Sequence, residues 1–176
     1  MKEKVGCGLV ILQETHSSDR DVKLWERDWD GDILLNHGTS NSRGVLIAFS
    51  KKIEKKVLKY EIDDEGRIKV LSFEHKNQLY LLINLYNPNT EKDQVKTMKK
   101  MDTILQKVEN LHMHSIIMGG DWNFILNKNV DAIGGNPKLK LNSIAEFTKL
   151  KNKYDLHDIY RIRNPMETCF TFFLNR

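Results

Sequence analysis

The stretch that decides the fold is His114–Asn123, which reads HSIIMGGDWN. The apolar run from Ser115 to Met118 predicts a short buried strand. The glycine pair after it allows close backbone approach, and Asp121 and Asn123 follow two residues apart. A carboxylate and an amide in this arrangement can hold a hard cation and a phosphate together. The same residue types are common in turns, so the local sequence leaves a plain turn open as the alternative.

Length and composition set the class of protein. A chain of 176 residues fits one domain, and 40% hydrophobic with 30% charged residues is typical of a globular protein. No apolar run approaches the roughly 20 residues of a membrane helix, and the first residues lack the apolar stretch of a signal peptide. We therefore expect an intracellular protein, nuclear or cytoplasmic. The net charge of +4 suits a polyanionic partner without demonstrating one.

Short apolar runs bounded by Gly, Asn or Asp predict strands along most of the chain. The runs are residues 8–13, 32–36, 44–49, 67–73, 79–84 and 115–118. Residues 53–62 alternate more loosely and are predicted to form an exposed hairpin with residues 67–73, through a turn at Asp63–Gly66.

Two segments have helical periodicity. The first begins after a capping-box sequence at Thr90–Asp93 and is predicted to run over residues 91–111. The second has Ser143 and Glu146 in capping-box register and is predicted to end near residue 153. The first helix carries an apolar stripe, in which the methionines are expected to be core residues: Val95, Met98, Met101, Ile104, Leu105, Val108 and Leu111. Strands and helices do not alternate strictly, which disfavours a Rossmann-type parallel sheet and predicts a mixed α/β arrangement.

Polar side chains follow two other predicted strands. Glu14 stands where the first strand ends, and a carboxylate there suits Mg²⁺, although a surface Glu at a loop start is an equally simple reading. Tyr86 and Asn89 follow the strand at residues 79–84 and precede a helix, where hydrogen-bond donors and the helix N-terminus favour a phosphate. A partly buried Tyr before a turn is the alternative.

Four motifs in order resemble the endonuclease domain of non-LTR retrotransposons. That family lies within the exonuclease-endonuclease-phosphatase superfamily, beside abasic-site endonucleases, and the resemblance covers essentially the whole chain. The motifs are LQETH at 12–16, NLYNPN at 84–89, GGDWNF at 119–124, and DIYR at 158–161 followed by NP at 164–165 and FTFF at 170–173.

The resemblance implies a four-layered α/β/β/α sandwich and a Mg²⁺-dependent phosphodiesterase that nicks DNA, with Mn²⁺ as a possible substitute. By motif, Glu14 would bind the metal, Tyr86 would contact the scissile phosphate and Asp121 would orient or activate the attacking water. Asn123 would bind the phosphate and stabilise its developing charge. Asn89 and Thr171 match weaker positions near the site. In such elements the partner is DNA, and a reverse transcriptase module accompanies the endonuclease.

The same resemblance predicts that residues 1–176 form a single, incomplete domain with terminal strands missing at both ends. Family members begin with a strand carrying an Asn and end with strands bearing an Asp and a Ser-Asp-His motif. None of the six histidines is a convincing substitute for the final His. Loss of one catalytic group commonly costs orders of magnitude in rate, so we expect an impaired endonuclease. The alternative is a non-catalytic nucleic-acid-binding remnant of the same fold.

Overall fold

A computed structural model of the chain describes residues 8–132 and 138–167. Its residues cluster into two compact units. The first contains the chain up to Asn87 together with Thr103–Asp121, and the second contains Pro88–Asp102 and the described residues from Trp122 onward.

The first unit contains two β-sheets. Three antiparallel strands form one sheet in the order β1-β3-β2, and four strands form the other in the order β4-β5-β6-β7. In the second sheet β6 and β7 are parallel and the other pairs are antiparallel. The strands are β1 Leu9–Gln13, β2 Gly31–Asn36, β3 Val45–Ser50, β4 Lys56–Ile62, β5 Ile68–His75, β6 Gln78–Tyr86 and β7 Ser115–Asp121. A short helix, α1 (Val22–Asp28), precedes β2 and was not predicted.

The two sheets pack face to face through a shared apolar core. Ile47 and Phe49 of β3 cluster with Leu71 and Phe73 of β5 and Leu82 of β6, all of them buried. The rings of Phe49 and Phe73 meet edge to face, with centroids 5.1 Å apart. Burying each such side chain contributes roughly 1.5–3 kcal/mol, so this cluster is a main source of the unit's stability.

Strand β7 is less buried than the sequence predicts. Its burial is uneven along its length, and Ile117 remains 44% exposed. The reason is that β7 lies at an edge, because β6 is its single sheet neighbour among residues 8–132 and 138–167. The prediction of a buried strand was therefore wrong in burial, although right in position.

The second unit contains most of the helix between β6 and β7 and the helices that follow β7. They are α2 Glu91–Leu105, whose last three residues are counted with the first unit, α3 Lys128–Asp131, α4 Leu141–Lys153 and α5 Ile159–Arg163. Thr90 and Asp93 cap α2 as predicted: Asp93 N donates to Thr90 Oγ1, and the Thr90 hydroxyl donates to the Asp93 carboxylate. Met98 and Met101 are fully buried, which confirms their prediction as core residues. Within the described ranges no helix has the length and apolarity to cross a bilayer.

Two helix boundaries differ from prediction. Helix α2 ends at Leu105 instead of residue 111, because the amides of Lys107 and Val108 bond to carbonyls three residues back and Asn110 has a left-handed φ of 52°. Helix α4 begins at Leu141, so Ser143 lies inside it and does not cap it. The Ser143 hydroxyl donates instead to Gln94 Oε1 at 2.7 Å.

Lys69 on β5 is a buried charge with a predictable effect on stability. It is 2% exposed, its Nζ donates to the Leu35 carbonyl at 3.1 Å, and burial lowers its pKa to about 8. Between pH 8 and 10.5 the unfolded chain retains a proton that the folded chain has lost. Stability should therefore rise with pH across this window, by at most about 3 kcal/mol.

The variant Lys69→Met should flatten that rise, because it removes the titrating group while keeping a long side chain at this position. Urea unfolding of both proteins at pH 7.5, 8.5 and 9.5 measures the slope. Parallel stability curves for the two proteins would show that Lys69 is not the titrating group.

Candidate active site

Glu14 is held in an exposed position immediately after β1. It has a left-handed φ of 53°, and His16 has a φ of 46°. Two backbone hydrogen bonds fix this turn, from Thr15 N to Gly44 O at 3.1 Å and from His16 N to Arg43 O at 2.9 Å. A left-handed conformation is uncommon outside glycine, so these two hydrogen bonds are needed to hold the turn in this geometry.

Tyr86 ends β6 and contacts Glu14 directly, because its phenol donates a hydrogen bond to Glu14 Oε1. The side chain is mostly buried. Burial, the hydrogen bond to Glu14 and the charge of Glu14 raise the pKa of Tyr86 to about 12, against a lowering by Arg67. The phenol is therefore protonated at neutral pH and available as a hydrogen-bond donor.

Asp121 ends β7 next to Tyr86. The parallel pairing of β6 and β7 sets the two residues in register, and Asn87 N donates to Asp121 O at 2.8 Å. The charge of Asp121 also contributes to the raised pKa of Tyr86. The first unit thus brings together three of the residues predicted from sequence, Glu14, Tyr86 and Asp121.

Arg67 is a site residue that the sequence reasoning missed. Its guanidinium carbon lies 5.1 Å from the centroid of the Tyr86 ring, and its Nη1 donates to the Tyr86 carbonyl at 3.3 Å. The side chain is only 13% exposed. The sequence did hold a clue to this position, because Arg67 directly follows the predicted turn at Asp63–Gly66. Antiparallel pairing of β5 with β6 then sets Arg67 beside Tyr86.

Asn123 and Asn89 lie in the second unit and are linked there by Lys140. The Lys140 ammonium donates to Asn89 O at 2.7 Å and to Asn123 O at 2.6 Å. Gln94, which is fully buried, also donates to Asn123 O, at 2.9 Å. Asn123 is thereby fixed through its backbone, in a left-handed conformation with φ of 53°. Thr171 lies outside the described residues.

Two histidines have hydrogen-bond partners that the sequence did not indicate. His37 Nδ1 is 3.1 Å from the buried Ser17 hydroxyl, and its Nε2 is 3.4 Å from the Asp19 carboxylate. His114 Nε2 is 2.9 Å from the Ser72 hydroxyl. These contacts are of the kind that hold strands and loops in place.

The donor set of the first unit fits a magnesium ion. Mg²⁺ binds through one or two carboxylates and keeps several waters, and Glu14 and Asp121 supply two exposed carboxylates beside the same phenol. Among the described residues no cluster of three or more His, Cys, Asp and Glu side chains could enclose a metal.

Solved structures of other proteins have a similar fold. An abasic-site endonuclease from Archaeoglobus fulgidus superposes with a TM-score of 0.72 at 16% identity, covering 96% of this chain and 68% of that one. A humanised TDP2 from D. rerio superposes with a TM-score of 0.50 at 21% identity, covering 67% of this chain and 53% of that one. The chain therefore shares the fold of this abasic-site endonuclease, which confirms the predicted α/β fold class.

The sequence comparison finds a similar protein from a transposon. The chain is 29% identical over 168 residues to the transposon TX1 uncharacterized 149 kDa protein of Xenopus laevis. The match covers 95% of this chain but only 12% of the transposon protein. No known family profile matches the chain. The chain is thus similar to one part of a transposon protein, in agreement with the resemblance of its motifs to retrotransposon endonucleases, and it spans only a small share of that relative's length.

Proposed function

We propose that this chain is a DNA-cleaving endonuclease domain that hydrolyses phosphodiester bonds with the help of Mg²⁺ or Mn²⁺. The observation that carries the proposal is the contact between the Tyr86 phenol and Glu14, with Asp121 in register beside Tyr86. The Tyr86 phenol and the carboxylates of Glu14 and Asp121 thereby lie together at the ends of three strands. The fold and the similarity to a transposon protein support a nucleic-acid substrate.

Each group has a distinct role in this proposal. Tyr86, kept protonated by its raised pKa, would shift its single O–H hydrogen bond from Glu14 to a phosphate oxygen when substrate binds, and the adjacent Arg67 guanidinium would attract the same anion. Asp121 accepts a proton from the attacking water or orients it. From its motif, Asn123 is proposed to bind a substrate phosphate through its side-chain amide, and Asn89 and Thr171 are proposed as weaker phosphate- or DNA-binding residues.

Glu14 would hold the metal ion. Asp121, which is in register with Tyr86, would assist as a second carboxylate. A bound Mg²⁺ would supply positive charge that stabilises the developing charge of the phosphate. The chain's own donors do the same from fixed positions, without reorganising during the reaction.

The proposed partners follow from the substrate and the relative. DNA would be bound through its phosphates, which the net charge of +4 favours. A reverse transcriptase module in the parent polypeptide is the proposed protein partner. Acting on DNA implies a site of action inside the cell, in the nucleus or the cytoplasm.

Nicking of supercoiled plasmid tests the proposal. The purified chain should convert supercoiled to open-circular DNA with Mg²⁺ or Mn²⁺ and should not do so with EDTA. Glu14→Gln should raise the Mg²⁺ concentration for half-maximal nicking by at least about 10-fold, because one carboxylate ligand is lost.

The outcomes separate the candidate functions. Nicking that depends on metal and on Glu14 supports an endonuclease. Salt-sensitive duplex binding without any nicking, at all metal concentrations, replaces the proposal with a binding remnant. Nicking that is equal in the wild type and Glu14→Gln indicates a contaminating nuclease and removes the support for this site.

A further inference from the structure

Asn84 on β6 forms a completely satisfied buried amide between the two sheets. It is fully buried, and its Nδ2 donates to the carbonyls of Leu12 and Leu46, each at 2.9 Å. Its Oδ1 accepts a hydrogen bond from Gln13 Nε2 at 2.6 Å. Leu12 and Leu46 are cross-strand partners on β1 and β3, so one amide group joins β6 to two of the three strands of the facing sheet.

These contacts converge on the residues that lead into Glu14. Leu12 and Gln13 are the last two residues of β1, and Asn84 bonds to the backbone of the first and the side chain of the second. Asn84 also lies two residues before Tyr86 on the same face of β6, and Tyr86 donates to the Glu14 carboxylate. One strand therefore holds Glu14 at two points, the backbone before it and its carboxylate.

We propose that Asn84, assisted by Gln13, is a positioning residue that fixes the left-handed turn at Glu14 and thereby the location of its carboxylate. The effect of Asn84 on nicking rests on the proposed function. Its effect on the Glu14 turn does not depend on that function.

The chemistry of the amide explains why Asn is needed. A side-chain amide offers one acceptor and two donors, and all three are used here. Replacing Asn84 by Leu keeps a similar size but leaves the two carbonyls and the Gln13 amide without this partner. Buried polar groups that lose a partner are costly, so the end of β1 is expected to separate from β6 or to recruit water. Either change releases the turn that follows.

Hydrogen exchange measures this release without any catalysis. The amides of Thr15 and His16 bond to Gly44 O and Arg43 O, and they report directly on the Glu14 turn. In Asn84→Leu these two amides should exchange at least 10-fold faster than in the wild type, while amides in the β5 and β6 pairing keep their rates. The matched control is Ser72→Ala, which breaks a different buried hydrogen bond of the same sheet, to His114.

Plasmid nicking supplies the second measurement. Asn84→Leu should nick at least 10-fold more slowly than the wild type, and the same change in a Glu14→Gln background should cause no further loss, because Asn84 acts through Glu14. Unchanged exchange at Thr15 and His16, or an equal acceleration of all amides, would overturn the proposal. If Asn84→Leu does not fold, hydrogen exchange at the same two amides is measured in Gln13→Leu, a change at a partly exposed position.

A wild type that does not nick refutes the proposed function alone, since hydrogen exchange still tests whether Asn84 positions the Glu14 turn.

Discussion

Replacing Asp121 by Asn is expected to lower the rate of plasmid nicking by about 10²- to 10⁴-fold, the range seen when a positioned proton acceptor is lost. The change keeps the shape of the side chain and removes its negative charge. Because Asp121 pairs in register with Tyr86 at the end of β7, the backbone geometry should be retained. The loss should therefore appear in rate and not in folding.

The measurement is single-turnover nicking at saturating protein, with DNA affinity determined in parallel. Affinity for duplex DNA should stay the same or increase, because a negative charge near the phosphate is gone. Asp131→Asn provides a matched control, since Asp131 is a carboxylate paired with Arg161 in the second unit. A variant that loses DNA affinity as steeply as rate would place Asp121 in binding and not in water activation.

The first part of the site was predictable because strand ends are readable from sequence. The apolar runs predicted at residues 8–13, 79–84 and 115–118 correspond to β1, β6 and β7, so the polar residues that follow them could be named before their contacts were known. What sequence could not supply was the pairing of these strands across two sheets. Pairing decides which ends meet, and it depends on contacts distant in the chain.

Arg67 illustrates the missing information. Its position after a turn was readable, but its role follows from the pairing of β5 with β6, which sets Arg67 against Tyr86. Asn84 was similarly read as a strand residue, whereas its amide completes hydrogen bonds to two strands of the other sheet. Polar residues inside a buried run are the positions where the apolar pattern gives least guidance.

The helices show where local signals compete with tertiary contacts. The Thr90–Asp93 capping box was correctly read because both partners are local. Ser143 and Glu146 have the same spacing, yet Ser143 is buried and bonds to Gln94, about fifty residues away in sequence. Helix α1 was missed because its seven residues are too few for periodicity to stand out.

The variant Gly120→Ala is expected to destabilise the protein by roughly 3–5 kcal/mol, the sum of backbone strain and overpacking. Gly120 has a φ of 145°, a conformation that side chains rarely adopt. A Cβ at this position would also overlap the carbonyl oxygen of Leu85 on β6, which is backbone and has little freedom to move. Both effects follow from the close approach of β7 to β6 just before Asp121.

Gly119→Ala is the matched control, one residue earlier in the same strand. A Cβ there would meet the end of the Ile11 side chain, which can change rotamer, and Gly119 has no left-handed φ. Its cost should be about 1–2 kcal/mol. Urea unfolding of the two variants measures the difference, and equal stabilities would contradict the close approach at Gly120. The free energy of unfolding of a typical protein is about 5–15 kcal/mol. Gly120→Ala should therefore leave a large unfolded fraction only if the wild type is near the lower end of that range. The second glycine therefore matters because it lets β7 carry Asp121 to Tyr86 without a side chain between the strands.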